Sequence, residues 1–456
     1  MANGVATQHD FRSGVESEYR RRTVKSAALY QTALKALPGG DTRSVTYFAP
    51  YPLFMSWGAG CRLTDVDGNQ YLDFLNNYSA LIHGHAHPKI TEAVSRQLAK
   101  GTIYATPLEI QIQLAELLRE RAPSLEKIRF CNSGTEATMC AIRAAKAFTG
   151  RNKIVKMEGG YHGTHDAAQI SVGPAPESAG PTDAPYSVPQ SLGLFRGVVN
   201  DVVVAPFNNV EAVSRIINDN RSDLAGVIVE PVMGSAGIIP AQPEFLQFLR
   251  EATRSCGALL ILDEVVSFRL AYGGAQEIYS LRPDITTLGK IIGGGFPVGA
   301  FGGRAEVMAL FDPRQGSVHH SGTFNGNAIT MTAGLASLEL LTRSEITRIN
   351  QLGERLRRGL REAFSSAGIS GQVTGIGSLT GVHFTDAEVR DYRSSARMKT
   401  EMLSMLHLSL LNHDIFAAPR GDFYISTPMG EQDVETLLHA FRSALDEIKM
   451  STVITT

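Results

Sequence analysis

Lys290 and Asp263 are the two side chains around which chemistry is most readily built. The run A-L-L-I-L-D-E-V over residues 258–265 is apolar without alternation and ends on two carboxylates, Asp263 and Glu264. Such a run suits a strand buried on both faces, as in a parallel sheet. Asp263 then stands at the strand's carboxyl end, where open α/β sheets bind ligands. Further on, D-I-T-T-L-G-K-I-I-G-G-G-F-P-V-G-A-F-G-G-R over residues 284–304 sets one lysine between an apolar approach and three glycines, Gly293 to Gly295. Burial at such a place lowers a lysine's pKa towards a neutral, nucleophilic amine. A cofactor that is an aldehyde on a pyridine ring needs this pair: an amine to form a Schiff base, and a carboxylate to keep the ring nitrogen protonated. Taken singly, each residue has a plainer reading, Asp263 as a turn cap and Lys290 as a solvated surface lysine.

Other stretches offer partners for that chemistry. Lys127 to Cys131 reads as a strand that runs into Asn132-Ser133-Gly134-Thr135-Glu136-Ala137 and then a helix to Phe148. Strand, small polar loop and helix present free N–H groups and a positive dipole end, so Ser133, Gly134 and Thr135 form an anion site or simply cap the helix. After a strand at Lys153 to Met157 comes Glu158-Gly159-Gly160-Tyr161-His162-Gly163. Two glycines let the backbone come close enough for Tyr161 to lie flat on a ring, while His162 assists or orients the loop. Glu230 ends another apolar strand, either holding neighbouring groups or serving as a structural acid. Thr323, in G-T-F-N-G-N-A over residues 322–328, reads as a turn residue before a helix. Arg43 reads as a solvated loop arginine, and Arg420, between an apolar strand and Gly421, as a surface arginine at a turn or a bidentate holder of a carboxylate. His83, His85 and His87 raise a metal site, but no cysteine or paired acid stands beside them, and imidazoles also hydrogen-bond within loops.

These residues need a scaffold of alternating strands and helices. Residues 1 to about 36 read as an arm ending in one amphipathic helix, stopped by the turn cluster Pro38 to Arg43. Pro52 to Phe74 alternates around Asp67-Gly68-Asn69 and predicts short antiparallel strands. Residues 91–121 have helical periodicity, 201–205 and 226–230 are strands, 243–256 is a helix, and 164–200 is a long Gly/Pro/Ser-rich loop. A charged helix over 344–366 and strands within 372–384 and 415–427 close the chain. Three regions follow: 1–75, an arm with part of a small domain; 76–343, a large cofactor-binding domain; and 344–456, a small α/β domain.

Composition narrows the class. The 456 residues are 43% hydrophobic, enough for a sizeable core, and carry a net charge of −2 with four scattered cysteines. Nothing advertises nucleic acid or an anionic membrane, and no apolar run approaches a membrane span. The polar amino terminus and unpatterned cysteines predict a cytoplasmic protein with reduced thiols. A nucleotide-binding protein without catalysis is disfavoured, since neither G-x-x-x-x-G-K-[ST] nor a strand-borne G-x-G-x-x-G occurs.

The D-E-V strand end, T-L-G-K-x-I-G-G-G, P-V-G-A-F-G-G-R and N-S-G-T-E-A together resemble the class III aminotransferases, which use pyridoxal 5'-phosphate. The resemblance spans roughly residues 37–445. It implies fold type I: an α/β large domain with a mostly parallel sheet flanked by helices, plus a smaller α/β domain from both termini. It also implies catalytic Lys290, Asp263 and Tyr161, with Lys290 holding the cofactor, Asp263 its ring nitrogen, and Tyr161 and Val265 opposite ring faces. Ser133, Gly134 and Thr135 would take the phosphate, with His162 and Glu230 also at the cofactor. Thr323 would reach the cofactor of a neighbouring subunit, so a homodimer with shared sites is implied. Within the class, R-S-V-T-Y-F-A-P-Y-P-L over residues 43–53 and the P-R-G at 419–421 resemble β-amino-acid and amine transaminases, in which Arg43 and Arg420 would bind substrate carboxylates. Glutamate-1-semialdehyde aminomutase, an isomerase with the same cofactor, is the alternative. Its P-V-R-A-F arginine and its glutamate before A-G-F are replaced here by residues 41–47 and 419–423.

Overall fold

The computed structural model describes residues 8–453. The amino-terminal arm is two helices, not the single one expected: α1 (Gln8–Arg22) and α2 (Val24–Ala33). They part at Thr23, which is fully buried and whose hydroxyl donates to the Tyr19 carbonyl (2.6 Å). The new helix start is satisfied from far away, because Asp67 accepts from the amides of Lys25 (2.6 Å) and Ser26 (3.0 Å). A cap 42 residues distant leaves no local signature.

Strands β1 (Met55–Ala59), β2 (Arg62–Asp65) and β3 (Gln70–Asp73) form the expected antiparallel meander. The turn at Gly68 takes φ 96°. A strand from near the other end of the chain, Ile415–Phe416, adds to β3 in parallel. The helical stretch expected over 91–121 is two helices, α3 (Pro88–Leu98) and α4 (Glu109–Arg121), parted by a segment containing Gly101 and Pro107.

Seven strands make the central sheet: β4 (Lys127–Cys131), β5 (Lys153–Met157), β6 (Val202–Ala205), β7 (Leu224–Val229), β8 (Leu259–Asp263), β9 (Ile285–Gly289) and β10 (Gly299–Gly303). Their order is β4-β10-β9-β8-β7-β5-β6, and β10 alone runs antiparallel to its neighbours. All residues of β7, β8, β9 and β10 are buried, as the unbroken apolar run of β7 and that of β8 up to Asp263 predict. Glycines let β10 into this crowded place, since a side chain on Gly299 would stand 2.0 Å from the Ser133 carbonyl oxygen. Helices α5 (Gly134–Thr149), α6 (Val210–Asn220), α7 (Pro243–Cys256) and α8 (Ala328–Leu340) pack beside the sheet. The long α9 (Arg343–Ala367) leads to the three-stranded sheet of Gln372–Ile376, Leu379–His383 and Asp422–Tyr424. Among the described residues no helix is long and apolar enough to cross a membrane.

Strands β4, β5, β7, β8 and β9 run the same way, so the residues that follow them emerge at one edge of the sheet. Those residues are Ser133, Tyr161, Glu230, Asp263 and Lys290.

Candidate active site

At that edge lies a cavity of about 380 Å³, walled by Gly134, Thr135, Tyr161, His162, Glu230, Asp263, Val265 and Lys290 together with Asn77, Asn132 and the Phe296 turn. Its volume suits a small cofactor with room for part of a substrate. Asp263 is buried, and its carboxylate is held from three sides. His162 Nδ1 lies 2.7 Å from Oδ2, while Oδ1 accepts from Thr287 Oγ1 (2.9 Å) and the Val265 amide (3.2 Å). Donors so placed fix the carboxylate's orientation. His162 Nε2 is buried at the cavity without a partner among the described residues.

Lys290 follows β9 in the left-handed region, at φ 49°, a conformation that surrounding structure must impose on a residue with a side chain. The glycines after it make the turn possible: Gly294 has φ 58°, and a side chain there would come 2.3 Å from the Ala333 carbonyl oxygen of α8. Burial pushes the Lys290 amine down to about 8, helped by the positive Arg420 and opposed by Glu230, Asp263 and Asp422. Burial likewise raises the Glu230 carboxyl, with His162 acting against it. Glu230 accepts from the amides of Tyr161 (2.9 Å) and Gly234 (3.1 Å), which fixes the start of the Tyr161 loop. Tyr161 keeps 42% of its surface exposed on the cavity wall.

The anion loop divides its work. Ser133 Oγ accepts from the Glu136 amide (3.1 Å) and is therefore engaged as the cap of α5, off the cavity wall, whereas Gly134 and Thr135 form part of that wall. Both readings of the loop thus have a structural counterpart. Gly163, at φ 99°, leaves space that a side chain would fill against Thr135 at 2.5 Å. Thr323 is exposed and does not border the cavity of its own chain.

Arg43 is one contact removed from the wall, and Arg420 packs on Tyr78, the residue after Asn77 of that wall. Arg43 Nη1 donates to Asn77 Oδ1 (2.9 Å), and Asn77 borders the cavity. Arg420 is paired through Nε with the buried Asp422, reaches Tyr424 Oη (3.4 Å), and lies over the Tyr78 ring at 5.3 Å. Burial alone would lower this guanidinium's pKa, but Asp422 and Tyr424 together raise it above the ordinary value. Two histidines of the metal reading are engaged otherwise, and His87 Nδ1 is buried without a hydrogen-bond partner among the described residues. His83 bonds Thr427 Oγ1 and the Ser337 carbonyl, His85 bonds Asp73, and no group of three potential ligands occurs among the described residues. Sequence reasoning passed over Thr287 and the Asn77-Tyr78 pair. The Asn-Asn dipeptide at 76–77 was the available signal, because asparagine tolerates positive φ.

A buried carboxylate held by three donors, a lysine of lowered pKa and a helix amino terminus around one cavity fit a phosphorylated pyridine aldehyde. On this sheet they define a pyridoxal-phosphate enzyme of fold type I. The chain belongs to the class III aminotransferase family, whose model matches residues 46–409, and its cofactor is pyridoxal 5'-phosphate. It is 43% identical over 430 residues to the glutamate-1-semialdehyde 2,1-aminomutase of Methanothermobacter thermautotrophicus, covering 93% of this chain and 100% of that protein. The β-phenylalanine transaminase of Variovorax paradoxus is 41% identical over 429 residues, with 93% and 94% covered. The crystal structure of an omega-transaminase from Sphaerobacter thermophilus superposes with a TM-score of 0.88 at 47% identity, covering 92% of this chain and 97% of that one.

Proposed function

We propose that this enzyme transfers an amino group from a β-amino acid or amine to an α-keto acid such as 2-oxoglutarate or pyruvate, by a ping-pong mechanism in a homodimer. The observation that carries this reading is the pair of guanidiniums, Arg43 and Arg420, meeting the neighbouring residues Asn77 and Tyr78 beside the cavity. Two cations on separate arms suit substrates whose carboxylates stand at different distances from the amino-bearing carbon. Bound pyridoxal phosphate supplies electron withdrawal from that carbon. Lys290 would hold the cofactor through its amine, and that amine is the group placed to take a proton from the substrate carbon and return one. Asp263 holds a proton on the ring nitrogen, with His162 and Thr287 keeping its oxygens aimed. Tyr161 and Val265 flank the ring, Glu230 fixes the Tyr161 loop, and the Ser133-Gly134-Thr135 turn receives the phosphate. Thr323 serves the site of the other subunit.

Replacing Arg420 by Ala tests the reading: KM for keto acids rises more than KM for amines without a carboxylate, and equal effects on both contradict the role. A second reading, glutamate-1-semialdehyde 2,1-aminomutase, is favoured by the 43% identity to an enzyme of that name. A coupled assay separates them. Glutamate formed from 2-oxoglutarate with 3-aminobutyrate or β-phenylalanine supports the transaminase, while 5-aminolevulinate from the semialdehyde without added keto acid supports the mutase.

A further inference from the structure

Residues Asn76, Asn77, Tyr78 and Ser79 take φ values of 49°, 48°, 56° and 73° in succession. L-residues visit this left-handed region singly as a rule, because Cβ then crowds the following carbonyl. Four in a row persist only where the surroundings impose them. Asp73 Oδ1 accepts from the amides of Leu75 and Asn76, both at 2.8 Å, and Asn76 Nδ2 donates to the Tyr424 carbonyl (2.7 Å). The fully buried Arg269 reaches the Ser79 carbonyl (3.3 Å) and also bonds Ser378 and Ile425. Strain maintained in this way collects where a protein needs side chains aimed in a particular direction.

The direction is visible in what the turn displays. Asn77 accepts from Arg43, and the Tyr78 ring lies under Arg420 at 5.3 Å. The Tyr78 hydroxyl donates to the Val45 carbonyl (2.8 Å), two residues beyond Arg43. One side chain therefore touches both arginine-bearing segments, and a change in the sign of φ would re-aim it away from both. We propose that Tyr78, held in this left-handed turn, is a positioning residue that sets the spacing between the Arg43 and Arg420 guanidiniums and so selects substrates by where their carboxylates lie. The proposal rests on the assignment of those two arginines as carboxylate binders. Its hydroxyl governs the Arg43 arm, and its ring governs the Arg420 arm.

The test uses the holoenzyme and two variants with separate expectations. Tyr78→Phe removes the bond to Val45 and keeps the ring. KM for the β-amino acid, and the inhibition constant of the amine-free 3-phenylpropionate, rise about fivefold, the usual loss for one hydrogen bond, with KM for the keto acid little changed. Tyr78→Leu removes the ring as well, and KM for the keto acid then rises roughly fivefold to tenfold. In both, kcat at saturation and the visible band of the lysine-bound cofactor are retained, which a general loss of structure would not allow. If Tyr78→Leu does not fold, Tyr78→Phe alone decides through the donor KM and the inhibitor. Unchanged constants, or a fall in kcat at fixed KM, overturn the proposal. Arg43→Ala and Arg420→Ala run alongside: if they raise KM while the Tyr78 variants do not, only the positioning role fails. If they too leave KM unchanged, the assignment of the arginines fails with it.

Discussion

Two lysines among the described residues, the buried Lys156 and the half-buried Lys290, have their pKa lowered by desolvation, and geometry decides between them. Burial takes Lys156 down to about 7, lower than Lys290. Yet Lys156 Nζ is engaged by the carbonyls of Gly160 (3.0 Å) and Ile170 (2.5 Å), so it ties both ends of the Tyr161 loop and does not border the cavity. Lys290 borders it, opposite the held carboxylate of Asp263. Changing Asp263 to Asn keeps the shape but removes the charge proposed to hold a proton on the cofactor ring. We expect kcat to fall by about 10²-fold or more, read in steady-state assays with cofactor occupancy unchanged. The pH dependence has a fixed sign. Lys290 is a base only when neutral, so the single-turnover rate with an amine donor rises through pH 8, near its lowered pKa, and levels above it. Arg420 disfavours the ammonium, so Arg420→Met lets Lys290 keep its proton to higher pH, and Asp422, freed of its partner, acts in the same direction. The rising limb then moves to higher pH, and a limb that stays in place would contradict the coupling.

Elements matter here through the ends of strands and the turns after them. Ser133 caps α5, so Ser133→Ala lowers stability by about 1 kcal/mol, measured by denaturant unfolding of the apoenzyme. Gly294→Ala is more severe. Its φ of 58° and a methyl 2.3 Å from the Ala333 carbonyl force α8 and the Lys290 turn apart, for about 1–3 kcal/mol and weaker cofactor binding, both visible in thermal unfolding with and without cofactor. These elements were legible because their signals are local: an unbroken apolar run ending on Asp263, glycines after Lys290, a small polar loop before an alanine-rich helix. The misses have non-local causes. The break between α1 and α2 is capped by Asp67, and the left-handed turn at Asn76–Ser79 is imposed by Asp73, Tyr424 and Arg269. Asn76 supplies its own side chain to that hold, but the Tyr424 carbonyl it meets lies far along the chain. The histidine cluster lacked the cysteines or paired acids of a metal site in sequence, and the fold draws His83 and His85 to different partners.

At the scale of the molecule, several large apolar side chains stand exposed. Leu192 and Phe195, in the long loop before β6, are 100% and 74% exposed, and Phe324 beside Thr323 is exposed too. The proposed homodimer predicts a light-scattering mass of twice the 49.2 kDa chain at micromolar concentration, and a monomer would remove the role given to Thr323. Every part of the account finally depends on which amine carries the cofactor. Borohydride reduction of the holoenzyme, followed by peptide mapping, identifies that amine directly. A pyridoxyl group on the peptide containing Lys290 is the predicted result; the group on Lys156 or any other lysine, or on none, would contradict it.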